Sequence, residues 1–254
     1  MLFEYINTYH FGRCTKQNDW CLKAMGINRI YYIHSGDLTV RLDNKPYQLK
    51  KHHIYLFPQN LKFELILTSG TNVDHTFFDF FTLPAIKMDH FIEINPIDES
   101  VIKEACTILF HLAEKYHTYP ALERNEYTDL IESYLNDFLF LVDRNTPIDC
   151  IHDQRINSVL DYIHRHYNES ISTDQLASLS NLEKNYFIRL FKKSMNITPY
   201  QYIRKYRFNI ALTLMKHKYS LSEASLKVGY SDEATFSHEF KKEYGISPSK
   251  FLEI

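Results

Sequence analysis

The chain has 254 residues, 44% of them hydrophobic and 24% charged, enough for one large or two ordinary domains with true cores. Six glycines and eight prolines exclude collagen-like or low-complexity character, and 15% aromatics argue against disorder. A formal charge of −2 at pH 7 divides unevenly: residues 1–149 hold 14 Lys+Arg against 20 Asp+Glu, and residues 150–254 hold 15 against 11. An acidic half at −6 thus precedes a basic half at +4, and such asymmetry hints at nucleic acid or a membrane as the partner of the basic half.

The opening Met1-Leu2-Phe3-Glu4-Tyr5 has no basic stretch followed by an apolar one, and no apolar run approaches the ~18 residues of a membrane span. A cytoplasmic protein without a membrane role is expected. Cys14, Cys21, Cys106 and Cys150 form no C-x-x-C pair and read as free thiols.

Between residues 29 and 81, short β-branched and aromatic stretches at 30–33, 38–42, 54–57, 63–67 and 76–81 are broken by turn residues. Gly36-Asp37 precedes a strand with alternating Leu38, Val40 and Leu42, and Asp43-Asn44-Lys45-Pro46 is a turn leading to Tyr47 and Leu49. Many short strands at close spacing point to a sandwich or barrel. With Gly36 entering one hairpin and Pro58 following 54–57, the region resembles a cupin barrel. The ligands of a metal-binding cupin are missing: Phe63 stands where the second-motif histidine would be, and the adjacent His52 and His53 would point to opposite faces of a strand. No metal and no cofactor are expected. Trp20, His34, His75 and Phe78 are candidate linings of an effector pocket inside the barrel, or else fillers of a closed core; a Trp face suits a sugar.

Helical period follows at 98–117 and 121–143. Val101, Ala105, Ile108 and Leu112 form one apolar stripe, and Tyr127, Ile131, Tyr134, Phe138 and Leu141 another. Either the barrel or a second copy of the chain could cover them. Residues 144–153 lose the period, contain Pro147 and read as a linker between a domain at 1–143 and another at 154–254.

The basic half repeats itself. Residues 186–193 followed by Asn196-Ile197-Thr198-Pro199 recur 49 residues later as 235–242 followed by Gly245-Ile246-Ser247-Pro248. In the first copy Ser172 and Gln175 form a capping box, with Ile171 stapled on Leu176, and a short helix from Thr173 ends near Asn181. A second helix carries 186–193. In the second copy Ser222 starts the short helix, Gly229 turns the chain, and Asp232 caps the next helix. Each copy is a helix-turn-helix. A helix at 199–216, with Ile203, Tyr206, Ile210 and Leu214 on one face, joins them. At about 27 Å it could hold two helices near successive major grooves, about 34 Å apart.

The segments Asp174-Gln175-Leu176-Ala177, Tyr186-Phe187-x-Arg189-x-Phe191-Lys192-Lys193, Thr198-Pro199-x-x-Tyr202, Val228-Gly229-Tyr230-x-Asp232 and Phe236-x-x-x-Phe240-Lys241-Lys242-x-x-Gly245-x-Ser247-Pro248 resemble the DNA-binding domain of AraC/XylS transcription regulators over residues 153–252. The resemblance implies an α+β chain: a cupin-like effector-binding and dimerisation domain with two helices, then an all-α domain of two helix-turn-helix units on a linking helix. The chain departs from the family pattern in two places. Glu183 replaces the favoured Ser at the first recognition helix and brings negative charge near phosphate, and Ala224-Ser225 replaces Ile-Ala, thinning the second unit's core.

With Leu176, Phe187, Leu190, Phe191, Phe236 and Phe240 assigned to small cores, base contacts fall to Lys184, Asn185, Ile188 and Arg189 in the first unit and Glu233, Ala234, Ser237 and His238 in the second. Arg pairs with guanine and Asn with adenine through two hydrogen bonds each, and Ile188 suits a thymine methyl. Lys192, Lys193, Lys241 and Lys242 would neutralise phosphates. The expected partners are promoter double-stranded DNA, a small-molecule effector, a second copy in a homodimer, and RNA polymerase if the protein activates. No Ser-His-Asp, P-loop or G-x-G-x-x-G pattern offers a reaction, so an enzyme is not expected. A regulator without a small ligand and a cupin-type metalloenzyme carrying a DNA-binding appendage stay open as alternatives.

Overall fold

The computed structural model describes residues 3–17, 20–23, 26–67, 70–96, 100–115, 124–216 and 218–253. They divide into two units, Met1–Cys150 and Ile151–Ile254.

Among its described residues the first unit has nine strands: β1 (Tyr5–Gln17), β2 (Trp20–Lys23), β3 (Asn28–Gly36), β4 (Leu38–Leu42), β5 (Lys45–Leu49), β6 (Ile54–Phe57), β7 (Phe63–Leu67), β8 (Asn72–Leu83) and β9 (Ile92–Ile94). They do not close into the expected barrel. Antiparallel pairing yields a sheet of order β1-β8-β3-β6-β9 and a second of order β2-β7-β4-β5. Among the described residues no ladder joins the two sheets, so the strands at their margins have one partner each.

Strand β1 escapes the sequence pattern because its alternation slips: a bulge shifts register between Thr8 and His10. Gly36 shows why the β3–β4 hairpin needs glycine. Its φ is +89°, and a Cβ there would sit 1.9 Å from the Asn72 carbonyl oxygen of β8. His52 lies in a turn with φ +62° rather than in a strand. Its Nδ1 meets the Tyr32 hydroxyl at 3.3 Å, while His53 Nδ1 meets Glu93 Oε1 at 2.7 Å.

Two helices follow, α1 (Ser100–Lys115) and α2 (Arg124–Asn145). One face of the first sheet carries Phe11, Ile30, Ile54, Leu56, Phe78, Phe80 and Ile92, all buried in one cluster with Ile102, Cys106, Leu109, Ala113, Ile131, Leu135, Phe138, Leu139 and Val142 of the helices. The α1 stripe is therefore displaced by one residue from the expected one. Val101 and Ile108 are exposed, because the neighbouring row at 102, 106, 109 and 113 is equally apolar and it is the row that faces the sheet.

Helix α2 runs two residues past the expected end, to Asn145, before Pro147 stops it. Residues 148–150 of the segment read as a linker are fastened to the first unit, and residues 151–153 belong to the second. Ile148 is buried, the Lys87 N–H donates to the Asp149 carbonyl at 2.9 Å, and Ile86 pairs with Cys150.

The second unit is helical: α3 (Gln154–His166), α4 (Thr173–Leu179), α5 (Lys184–Met195), α6 (Pro199–Lys216), α7 (Leu221–Lys227), α8 (Glu233–Tyr244) and α9 (Pro248–Glu253). Asn196 and Gly245 end α5 and α8 in left-handed geometry, at φ +60° and +81°. Helix α6 buries Tyr202, Ile203, Tyr206, Phe208, Asn209, Ala211 and Leu212, a wider surface than the one expected stripe. The reason is that helices pack on it from both sides: Phe191 of α5 meets Tyr202 at 5.8 Å, and Phe236 and Phe240 of α8 meet Phe208 at 5.5 and 5.1 Å.

Candidate nucleic-acid interface

Two short–long helix pairs, α4–α5 and α7–α8, carry the residues singled out in the sequence. Their starts are fixed by side chains that take the N–H groups a first turn leaves over. At α4 the Ser172 hydroxyl accepts from Gln175 N at 3.1 Å, but the box is half-formed, since Gln175 Nε2 donates instead to the Tyr162 hydroxyl at 2.6 Å. At α7 the cap is Ser220, not Ser222. Ser220 Oγ accepts from Glu223 N, and Glu223 Oε2 accepts from Ser220 N at 2.8 Å, so the S-x-x-E spacing decides the start. The hydroxyl of Ser225, fully buried beside Ala224, donates to the Ser222 carbonyl at 2.8 Å, so the polar substitution is satisfied locally.

Glu183 serves α5 well. Its carboxylate accepts from Asn185 N at 2.9 Å and Tyr186 N at 3.0 Å, and these N–H groups hold it below the usual carboxylate range. Asp232 caps α8 through Thr235 N at 2.7 Å, with the same effect on its acidity.

From these starts α5 turns Phe187 and Phe191 inward and presents Lys184, Asn185, Arg189, Lys192 and Lys193 to solvent, with Ile188 half-buried among them. Helix α8 buries Phe236 and Phe240 and exposes Glu233, Ala234, His238, Lys241 and Lys242, with Ser237 half-buried. Lys184 is not idle: its Nζ lies 2.8 Å from Asp174 Oδ2. The two carboxylates on the other side of α8 are engaged by α6. Glu239 accepts from the Tyr200 hydroxyl at 3.0 Å and the Tyr230 hydroxyl at 2.8 Å. Glu243 pairs with Arg204 and, at 2.7 Å, with Lys205; although burial raises its pKa, these cations bring it below the ordinary value. Both acids are thus engaged on the packed side of α8, Glu239 by phenol hydroxyls and Glu243 by cations, while the exposed side keeps its lysines.

In the first unit the suggested pocket residues do not come together. Phe78 and His34 both approach Phe110 of α1, at 6.4 Å each, whereas His75 lies on the opposite face of β8, with Cys14 Sγ at 3.3 Å and the Tyr31 ring at 5.0 Å. The Trp20 side chain lies outside the described residues. Strand alternation makes this division unavoidable for positions 75 and 78.

A polar island missed in the sequence occupies the face of His75. Arg29 pairs with Asp79, His10 Nδ1 reaches Asp79 at 3.1 Å, and Arg29 Nη1 donates to the Tyr31 hydroxyl at 3.1 Å. Burial pushes Asp79 up, but the Arg29 charge outweighs it and holds the carboxyl at about 2. Burial lowers His75 to about 3. On the same side the Phe57 ring meets Phe63 of the other sheet at 4.5 Å in a tilted contact, so the island lies between the sheets. An Arg and an Asp at inward positions of otherwise apolar strands are the signal that could have found it. Among the described residues no three His, Cys, Asp or Glu side chains gather as metal ligands, and no helix is long and apolar enough to cross a membrane.

Residues 176–254 match the helix-turn-helix domain family model HTH_18. The chain is similar to the probable transcriptional regulator LumQ of Photobacterium leiognathi, 33% identical over 138 residues, covering 52% of this chain and 56% of that one. It is similar to the Msm operon regulatory protein of Streptococcus mutans, 37% identical over 97 residues, covering 38% and 35%. The aligned region thus spans about half the length, or less, of these curated relatives. In fold, ToxT from Vibrio cholerae, solved with an unsaturated fatty acid bound, superposes with a TM-score of 0.67 at 12% identity over 97% of this chain and 95% of that one. Both curated relatives carry regulatory names.

Proposed function

We propose that the chain is a transcription regulator of the AraC/XylS type, and that it binds a promoter sequence through both helix pairs, each acting as a helix-turn-helix unit. The observation that carries this reading is the pairing of α5 and α8 on one linking helix, each with its aromatic face buried and a polar face edged by two lysines exposed. Arg189, Asn185 and Ile188 read bases from α5; Ser237, His238, Glu233 and Ala234 do so from α8. Lys184 reads a base after leaving Asp174, and Lys192, Lys193, Lys241 and Lys242 hold phosphates.

Selection of bound fragments from a random DNA pool tests the reading. The recovered motif is expected to contain two elements in successive grooves, and Arg189→Ala to lose about 1–3 kcal/mol of discrimination at one position of the first. Equal affinity for every fragment would refute it.

The first unit serves as the sensing and dimerising part. Its likeness in fold to ToxT, a protein solved with a fatty acid, supports a small-molecule effector, and the island of Arg29, Asp79, His10 and Tyr31 offers the polar groups to orient one. The exposed Val101, Ile108, Leu130 and Phe140 on α1 and α2 support a homodimer seam in a cytoplasmic regulator, which would contact RNA polymerase if it activates. A regulator with no small ligand is favoured by one observation: Tyr31, His75 and Asp79 are each no more than 2% exposed, as in a closed core. Thermal-shift screening with sugars and fatty acids separates the two, because a ligand at a hundred times its Kd stabilises by about 2.7 kcal/mol.

A further inference from the structure

Arg207 stands at the middle of α6 and makes contacts that belong to neither helix pair alone. Its Nε donates to the Tyr167 carbonyl at 2.6 Å and its Nη2 to the Glu169 carbonyl at 2.6 Å, both in the connection from α3 to α4. Its Nη1 donates to the Gly229 carbonyl at 3.4 Å, in the turn between α7 and α8, and the guanidinium lies 5.7 Å from the Tyr230 ring. The two segments it joins also touch each other. Gly229 has φ +85°, and a Cβ there would lie 2.4 Å from the Asn168 carbonyl oxygen.

The connection holding Tyr167 and Glu169 runs directly into the Ser172 cap of α4, and the Gly229 turn runs directly into the Asp232 cap of α8. One planar cation with donors in a fixed fork therefore bonds the entrance of the first pair to the entrance of the second recognition helix. All three acceptors are main-chain carbonyls, which a lysine's single ammonium could not span together.

We propose that Arg207 is a positioning residue that fixes the second helix pair against the first, and so sets the spacing of the two DNA elements the protein accepts. The proposal rests on the DNA-binding reading above. Without the arginine each pair keeps its own aromatic contact with α6, Phe191–Tyr202 or Phe208–Phe240, but the bond between them is lost.

The test uses the full chain and the two-element fragment recovered by selection, together with fragments in which the elements are moved one or two base pairs closer or farther and a fragment with the first element alone. Arg207→Met and the milder Arg207→Lys are compared with the wild type; the lysine variant keeps the charge and covers the case in which the methionine variant fails to fold. The expected result is a flattened spacing profile, the penalty for a one-base-pair shift falling about threefold or more, with affinity for the single element unchanged within about twofold. An unchanged profile overturns the proposal. So does a parallel loss on the single-element fragment, which would make the arginine merely structural. A wild type with no sequence preference overturns the functional reading itself, and the spacing role with it.

Discussion

Gly229 and Gly245 form a matched pair for measuring what close packing at the centre of the helical unit costs. Both are left-handed, at φ +85° and +81°, but a methyl at Gly245 would meet nothing within 4 Å, whereas one at Gly229 would collide with the Asn168 carbonyl at 2.4 Å. Alanine at Gly245 pays only for a left-handed L-residue, roughly 1 kcal/mol. Alanine at Gly229 adds a main-chain displacement comparable to overpacking a core, a further 1–3 kcal/mol, for a total of about 3 kcal/mol. For a unit of about 100 residues these correspond to falls in Tm of roughly 4 °C and 12 °C. Circular dichroism at 222 nm follows the helices, while fluorescence of Trp20, the chain's one tryptophan, reports on the other unit and serves as the control. Equal falls for the two variants would refute the reasoning, since the Asn168 contact would then cost nothing.

Three other outcomes are expected. Arg29→Met strands Asp79 in the interior and should destabilise the first unit by about 3–5 kcal/mol, read from Trp20 fluorescence in urea, with Arg29→Met/Asp79→Leu recovering most of the loss; a double variant as weak as the single one would contradict this. Burial lowers His164 to about 3 in the fold, so its neutral form is favoured there: its contribution is complete above the unfolded value near 6.5 and is lost as pH falls toward 3, by about 1.4 kcal/mol per pH unit. His164→Gln should therefore flatten the fall of Tm between pH 7 and 5, and an unaltered slope would count against it. Glu183→Ala removes the acceptor of two N–H groups and should lower the melting temperature of the helical unit, against no change if the carboxylate were merely surface charge.

The helical unit was legible because its signals are local. Caps at Ser172 and Asp232, turns at Asn181 and Gly229, and stops at Asn196 and Gly245 are each decided by a few neighbouring residues, and the repeat doubled every one of them. Where two local signals competed, the reading slipped: Ser220 and Ser222 are both good caps, and only Glu223 at the right offset chooses between them. The first unit was legible in its strands but not in their partners. Nothing local says that β1 would add to β8, that the sheets would remain apart, or that the row 102, 106, 109, 113 rather than its neighbour would face the sheet. The Arg29–Asp79 pair spans β3 and β8, and its meaning depends on a register that only the assembled sheet fixes.

Among the described residues the two open sheets have four margins at which a foreign strand could add, the usual route to aggregation. Each is blunted. At β9 the strand is only three residues long, and at β2 four. β5 begins Lys45-Pro46, a charge beside a residue with no N–H to offer. The long margin is β1, and there the bulge after Thr8 breaks the line while Glu132 of α2 takes the Thr8 N–H at 2.6 Å and its hydroxyl at 3.0 Å. Replacing Glu132 would free that donor on a thirteen-residue strand, and such a variant is expected to aggregate more readily than the wild type.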